Sequence, residues 1–180
     1  MHILAISGSL SAGGTITTLV RAIMALAPDG MTVALYDGLG ELPHFNPDRD
    51  GDVPPAAVAH LRGLLRDADG VLICTPEYAY SMPGALKNAF EWTVSSGEFV
   101  GKPVAAMSAS PYPTGGERAQ ASLLLTLTAV NATVPDGAAL TVPLVRTKMG
   151  ADGVISDPET VRALRSVLDA LARAVEAAET

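Results

Sequence analysis

The segment from Leu72 to Trp92, LICTPEYAYSMPGALKNAFEW, constrains the fold more than any other part of the chain. It passes from an uncharged apolar run into a turn rich in proline and tyrosine, then directly into the spacing of an amphipathic helix. An apolar run of this kind suits a strand covered on both faces, and immediate entry into a helix is how parallel strands are connected. Loops at the carboxyl ends of parallel strands gather on one sheet edge, so the turn is the place where a pocket is expected.

Four other segments carry the same strand signature. His2 to Ser7, Thr32 to Tyr36, Pro103 to Ser108 and Ala138 to Val142 join Gly70 to Thr75 as five predicted strands. Between them lie helical stripes: Ile16, Leu19, Val20, Ile23 and Ala27; Val58, Leu61, Leu64 and Leu65; Leu86, Ala89, Phe90 and Thr93; Leu123, Leu124, Leu127 and Val130. The final helix is the most explicit. Asp157 is placed to cap it, Pro158 to open it, and Val161, Leu164, Val167, Leu168, Leu171 and Val175 to form its buried face. The repeated alternation predicts an α/β, flavodoxin-like three-layer sandwich around a five-stranded parallel sheet, with residues 1–180 as one domain. A hydrophobic content of 48% argues against disorder and for a sizeable core. Two long segments, Asp37 to Pro55 and Thr147 to Asp157, read as loops; the first either covers a pocket edge or is a solvated excursion.

Charge and cysteine content narrow the function. Twelve Lys+Arg against nineteen Asp+Glu leave a net charge of -7, which disfavours nucleic acid and anionic membrane surfaces. The single cysteine, Cys74, excludes an internal disulfide framework and a thiolate metal cluster, and no signal peptide is readable in MHILAISGS. A cytoplasmic protein is expected. His2, His44 and His60 lack neighbours at metal-ligand spacing, so no metal site is expected. No lysine follows the glycines of the first loop, no G-x-G-x-x-G follows the first strand, and no G-x-S-x-G occurs. Cys74 has no arginine in the loop after it and reads as strand core rather than nucleophile.

What remains is a binding edge. The loops Gly8 to Thr15, Pro76 to Pro83 and Ser110 to Gly116 follow strands one, three and four and should converge. The first, GSLSAGGT, combines glycines with serine and threonine hydroxyls before a helix, which suits either an anion cradle or a simple turn and cap. Of eight aromatics, five fall between Tyr78 and Phe99, a cluster suited to a flat heterocycle, a subunit contact or helix packing. Tyr78 and Tyr80, on the turn, are the better candidates for a ligand.

The motifs ISGSL, LPHFNPD (Leu42 to Asp48), TPEYAYSMPGALKNAFEW (Thr75 to Trp92) and SASPYPTGGERAQ (Ser108 to Gln120) resemble those of the NAD(P)H-dependent FMN reductases, a flavodoxin-like family with quinone-, chromate- and azo-dye-reducing members. The resemblance spans nearly the whole chain. It implies FMN with its phosphate against Ser9, Ser11, Thr15 and Thr17, and its isoalloxazine ring beside Pro76, Glu77, Tyr78 and Ser81 on one side and Ser110, Gly115 and Gly116 on the other. It further implies NAD(P)H as co-substrate, a quinone, free flavin or similar small-molecule electron acceptor, no side-chain acid or base, and a homodimer or homotetramer with the helix after the PEY turn near the interface.

The chain departs from its relatives where the phosphate is gripped. They usually carry arginine at the position of Ser11, serine at Gly14 and asparagine at Ile16, and often asparagine at Ala79. Loss of an ionised donor worth about 1.5 to 3 kcal/mol implies phosphate binding weakened roughly tenfold to a hundredfold. The other outcome left open is a flavin-free binding or assembly protein on the same fold.

Overall fold

A computed structural model describes residues 1–178. Five strands form one parallel sheet: β1 (His2–Ser7), β2 (Thr32–Tyr36), β3 (Gly70–Thr75), β4 (Val104–Ala109) and β5 (Ala139–Val142), in the order β2-β1-β3-β4-β5. Five helices connect or follow them: α1 (Thr15–Met24), α2 (Ala56–Asp67), α3 (Gly84–Glu91), α4 (Glu117–Ala129) and α5 (Pro158–Ala178). This is the expected flavodoxin-like arrangement. The order reverses at β1, whose neighbours are β2 on one side and β3 on the other, and such a reversal opens a crevice at the carboxyl ends of β1 and β3.

Strand burial explains the layers. β3 and β4 are buried at every position, so they can carry apolar residues on both faces, whereas the edge strand β2 alternates exposed and partly covered residues. On one face Ile3, Ala5, Leu72 and Met107 pack against Leu19 and Ile23 of α1 and Leu164, Leu168 and Leu171 of α5. On the other, Leu4, Ile6, Ile73 and Ala106 pack against α2, α3 and α4 through Leu61, Leu65, Leu86, Phe90, Leu123 and Leu127. Each fully buried aliphatic side chain contributes about 1.5 to 3 kcal/mol, so the two faces hold the sheet rigid beneath its loops. Cys74 lies in this core with no exposure, and burial pushes its thiol up to about 12.

The long Asp37–Pro55 segment is neither free nor simply solvated. Its Phe45 N–H donates to Asn88 Oδ1 (2.8 Å), while Asn88 Nδ2 and Trp92 Nε1 both donate to Pro43 O (2.9 and 2.8 Å). Asp50 accepts from Arg62 (2.6 Å) and Ser95 (2.7 Å), and these donors hold its carboxyl below the ordinary carboxylate range. The second long segment folds back through a Met149–Ile155 bridge.

The aromatic cluster divides. Trp92, Phe90 and Phe99 are core residues at 0%, 2% and 2% exposure, with Phe45 meeting Trp92 edge to face at 5.0 Å. Trp92 therefore lies away from the loop edge, and the concentration of rings in the sequence reflects packing at three of its five positions. Tyr78 and Tyr80 stay exposed on the turn.

Candidate functional site

The loops after β1, β3, β4 and β5 enclose a cavity of about 380 Å³. That volume falls within the roughly 300 to 1,000 Å³ usual for small-molecule sites.

The first wall is the β1–α1 loop. Gly8 seats it: a Cβ there would lie 2.9 Å from Thr75 Oγ1, so only glycine lets the β1 exit press against the end of β3. The loop's carbonyls are turned back into the protein. Ser11 O accepts from Gly14 N (3.0 Å) and Thr17 Oγ1 (2.9 Å), and Ala12 O accepts from Arg21 Nη1 (2.8 Å). With its carbonyls held there, the loop presents N–H groups at the start of α1. Gly14 makes no side-chain cap, the first turn holds no acidic residue, and the N–H groups of Thr15 and Ile16 find no acceptor among the described residues. Bare donors at a positive helix end form an anion site, and Gly14, Thr15 and Ile16 all line the cavity.

The second wall is the turn after β3. Tyr78 and Ser81 exchange backbone hydrogen bonds at 2.9 and 3.1 Å, closing a two-residue hairpin whose central residues, Ala79 and Tyr80, have φ of 49° and 62°. Positive φ at both centres is the conformation that turns a hairpin tightly, and it is rarely taken without glycine or asparagine. Two contacts hold it to α4. Glu77 Oε2 accepts from the N–H groups of Arg118 (3.0 Å) and Ala119 (3.2 Å), and the Arg118 guanidinium sits 4.9 Å from the Tyr80 ring centroid. Glu77 therefore closes the first turn of α4, whose own N-cap, Gly116, has no side chain to do so.

The third wall comes from the loop after β4. Ser110 is 5% exposed, lines the cavity, and accepts from Tyr112 N–H (3.2 Å). Gly115 and Gly116 have φ of 64° and 82°, and Ser108 Oγ donates to Gly115 O (2.9 Å), which turns the chain into α4.

Seven of the residues expected from sequence line the cavity: Ser9, Ser11 and Thr15 on the first wall, Pro76, Glu77 and Tyr78 on the second, and Ser110 on the third. Four do not. Thr17 is 5% exposed and spends its hydroxyl on Ser11 O and Ser7 Oγ (2.9 Å each), bracing the loop from behind. Ser81 faces α4, with its Oγ 2.9 Å from Ser122 Oγ. Gly115 and Gly116 shape the third loop from outside the cavity. Tyr112, within the expected Ser110 to Gly116 loop, lines it as well, and sequence reasoning missed Val145 and Arg146, which line it too. The missed signal was the end of β5: in a parallel sheet its loop opens on the same edge as the others.

The departures at the first loop have local causes. At Gly14 a Cβ would meet Ser11 Cβ at 2.9 Å, so serine would not fit without a shift of the loop. Ile16 is 6% exposed and belongs to the core beneath α1.

Comparison with known proteins identifies the family. The family model for NADPH-dependent FMN reductase matches residues 1–146. An NAD(P)H-dependent FMN reductase of Pseudomonas aeruginosa is 34% identical over 173 residues, covering 95% of this chain and 93% of that protein. A quinone reductase of Escherichia coli is 34% identical over 137 residues, covering 74% and 73%. Among solved structures, the flavoenzyme NAD(P)H:(acceptor) oxidoreductase of Paracoccus denitrificans superposes with a TM-score of 0.83 at 29% identity, covering 98% and 97%.

Proposed function

This chain belongs to the NADPH-dependent FMN reductase family and is an FMN-dependent NAD(P)H oxidoreductase; we propose that the cavity described above is its FMN site, with the phosphate at the start of α1. The observation that carries the assignment is the bare first turn of α1, whose unpaired N–H groups open into a cavity edged by the hydroxyls of Ser9, Ser11 and Thr15. These donors fit a phosphate monoester.

Within this reading Ser9, Ser11 and Thr15 bond the phosphate, while Thr17 keeps Ser11 O turned away from it. Pro76, Glu77 and Tyr78 form one flank of the ring site and Ser110 and Tyr112 the other. Glu77, with its carboxylate held on α4, positions the turn through its backbone. Ser81, Gly115 and Gly116 fix the loops that carry these flanks. Bound flavin supplies the capacity to take up and pass on hydride; the chain supplies grip and orientation. Tyr78, Tyr80 and Tyr112, at 57%, 74% and 71% exposure, leave a wide aromatic approach on which a planar acceptor can rest.

The acceptor is a small molecule of the quinone or free-flavin class, a reading supported by the quinone reductase among its relatives. We place the protein in the cytoplasm as one flavodoxin-like unit of a homo-oligomer; no helix among the described residues is long and apolar enough to cross a membrane. Exposed Val94 and Leu125, which border one groove between α3 and α4, favour self-association there.

The test is to titrate the purified apoprotein with FMN, following flavin absorbance and fluorescence, and then to add NADPH or NADH with a benzoquinone. Stoichiometric uptake and quinone-dependent nicotinamide oxidation are expected. No uptake together with no oxidation would overturn the assignment.

A further inference from the structure

We propose that Arg146, reaching in from the loop after β5, supplies the guanidinium for the FMN phosphate that the first loop lacks. The inference rests on the cofactor site proposed above and assigns it a residue from another loop, since Gly8 to Thr15 contains no lysine or arginine.

Three observations converge on it. The first is position. Arg146 lines the same cavity as Ser9, Ser11, Gly14 and Thr15, and it also borders the shallower depression over Gly13 and Thr18, so its side chain ranges across the start of α1. A cation in that place meets any anion seated on the bare N–H groups.

The second is availability. Arg62 and Arg66 are paired with Asp50 and Glu98, Arg21 donates to Ala12 O, and Arg118 lies over Tyr80. Arg146, like Arg49, Arg165 and Arg173, has no carboxylate or carbonyl partner among the described residues, but it alone of these four lines the cavity. An unpaired arginine beside unpaired amides, in a protein of net charge -7, leaves a local positive region where the ligand is anionic.

The third is anchorage. Arg146 sits in a short 3-10 turn, Val145–Thr147, entered through Leu144 at φ 53°. Leu144 N–H donates to Tyr112 O (3.2 Å), Val145 N–H donates to Ser110 O (3.0 Å), and Val145 is 1% exposed. The backbone under Arg146 is thus tied to the loop that forms the third wall, while the side chain remains free. A fixed root lowers the ordering needed to close the guanidinium on a ligand. Its planar fork can give two parallel hydrogen bonds to a phosphate, which serine and threonine hydroxyls cannot match.

The experiment compares FMN with riboflavin, which differ by the phosphate alone, through equilibrium titration of apoprotein monitored by flavin fluorescence. Arg146→Gln should weaken FMN about tenfold, a value near the lower end for a charge-assisted bond because the side chain is exposed, while riboflavin affinity stays the same. The dependence of FMN affinity on salt should flatten in that variant, and Arg146→Lys should recover part of the loss. Arg173→Gln removes an equal charge from the far end of α5, near the opposite sheet edge where Val175 meets Gly70, and should shift FMN affinity by no more than about twofold. Unchanged FMN binding by Arg146→Gln, or equal weakening of FMN and riboflavin, would overturn the role of Arg146 while leaving the cofactor site standing. A parent protein that takes up neither flavin would remove the site and Arg146 with it.

Discussion

Two helices begin on the same edge of the sheet and are finished in opposite ways. At α4 the first-turn N–H groups of Arg118 and Ala119 are already taken by the carboxylate of Glu77, a residue about forty positions earlier in the chain. At α1 the cap is a glycine, as it is at α4, but no acidic side chain reaches the first turn and the donors face a cavity. Both helix ends carry the same partial positive charge, so the difference is one of occupancy. The protein closes the first turn of α4 with a group of its own and leaves that of α1 open to the cavity. The closed end also fixes the turn that flanks the open one, since Glu77 is part of both.

The sharpest way to break this contrast is to give α1 what α4 has. Thr15→Asp places a carboxylate in the first turn of α1; it should raise apoprotein stability by about 0.5 kcal/mol in thermal denaturation and weaken FMN about a hundredfold in titration, through repulsion of the phosphate at close range. If stability and FMN affinity rose together, α1 would not be the phosphate site. The converse change acts on α4. Glu77→Ala should lower stability by about 1 to 2 kcal/mol in urea denaturation, and Glu77→Gln by about half as much, because an amide oxygen still accepts but without charge.

A smaller effect comes from a third helix end, that of α5, where Asp157 Oδ2 accepts from Thr160 N–H (2.9 Å). The Thr160 side-chain and backbone bonds hold the Asp157 carboxyl below its ordinary value of 3.8. A depressed folded-state value means that its contribution is complete above the unfolded value and is lost as pH falls through the folded one. Stability followed by urea midpoint should therefore drop below about pH 4, and Asp157→Asn should flatten part of that drop. Asp50, shifted the same way by Arg62 and Ser95, accounts for another part.

How much of this could be read from the chain depended on the range of the interactions. Buried parallel strands announce themselves locally, and β1, β2 and β3 span the residues expected of them, while β4 and β5 begin one residue later. The opening of α5 was equally legible, because Asp157 and Pro158 act on residues next to them. The loop after β1 was legible as one wall of the cavity but not in detail: that Thr17 turns inward follows from its bonds to Ser7 and Ser11, which only the folded loop brings together. The aromatic cluster left packing and ligand contact undivided for a related reason. Composition counts rings, but Trp92 and Phe90 sit on the core side of the helix that Tyr78 and Tyr80 precede, and burial separates them. The bonds of Glu77 to α4 and the place of Arg146 on the cavity wall were invisible because each arises across a loop contact with no sequence periodicity.

The buried position of Cys74 has a consequence for the quinone acceptor proposed above. Quinones alkylate sulfur by conjugate addition, and the reacting species is the thiolate. The only sulfhydryl in this chain has no solvent-exposed surface, and its ionisation lies far above physiological pH. An electrophilic acceptor at the proposed site would therefore meet no exposed thiol to arylate, even though that sulfur stands in β3, one residue before the strand ends.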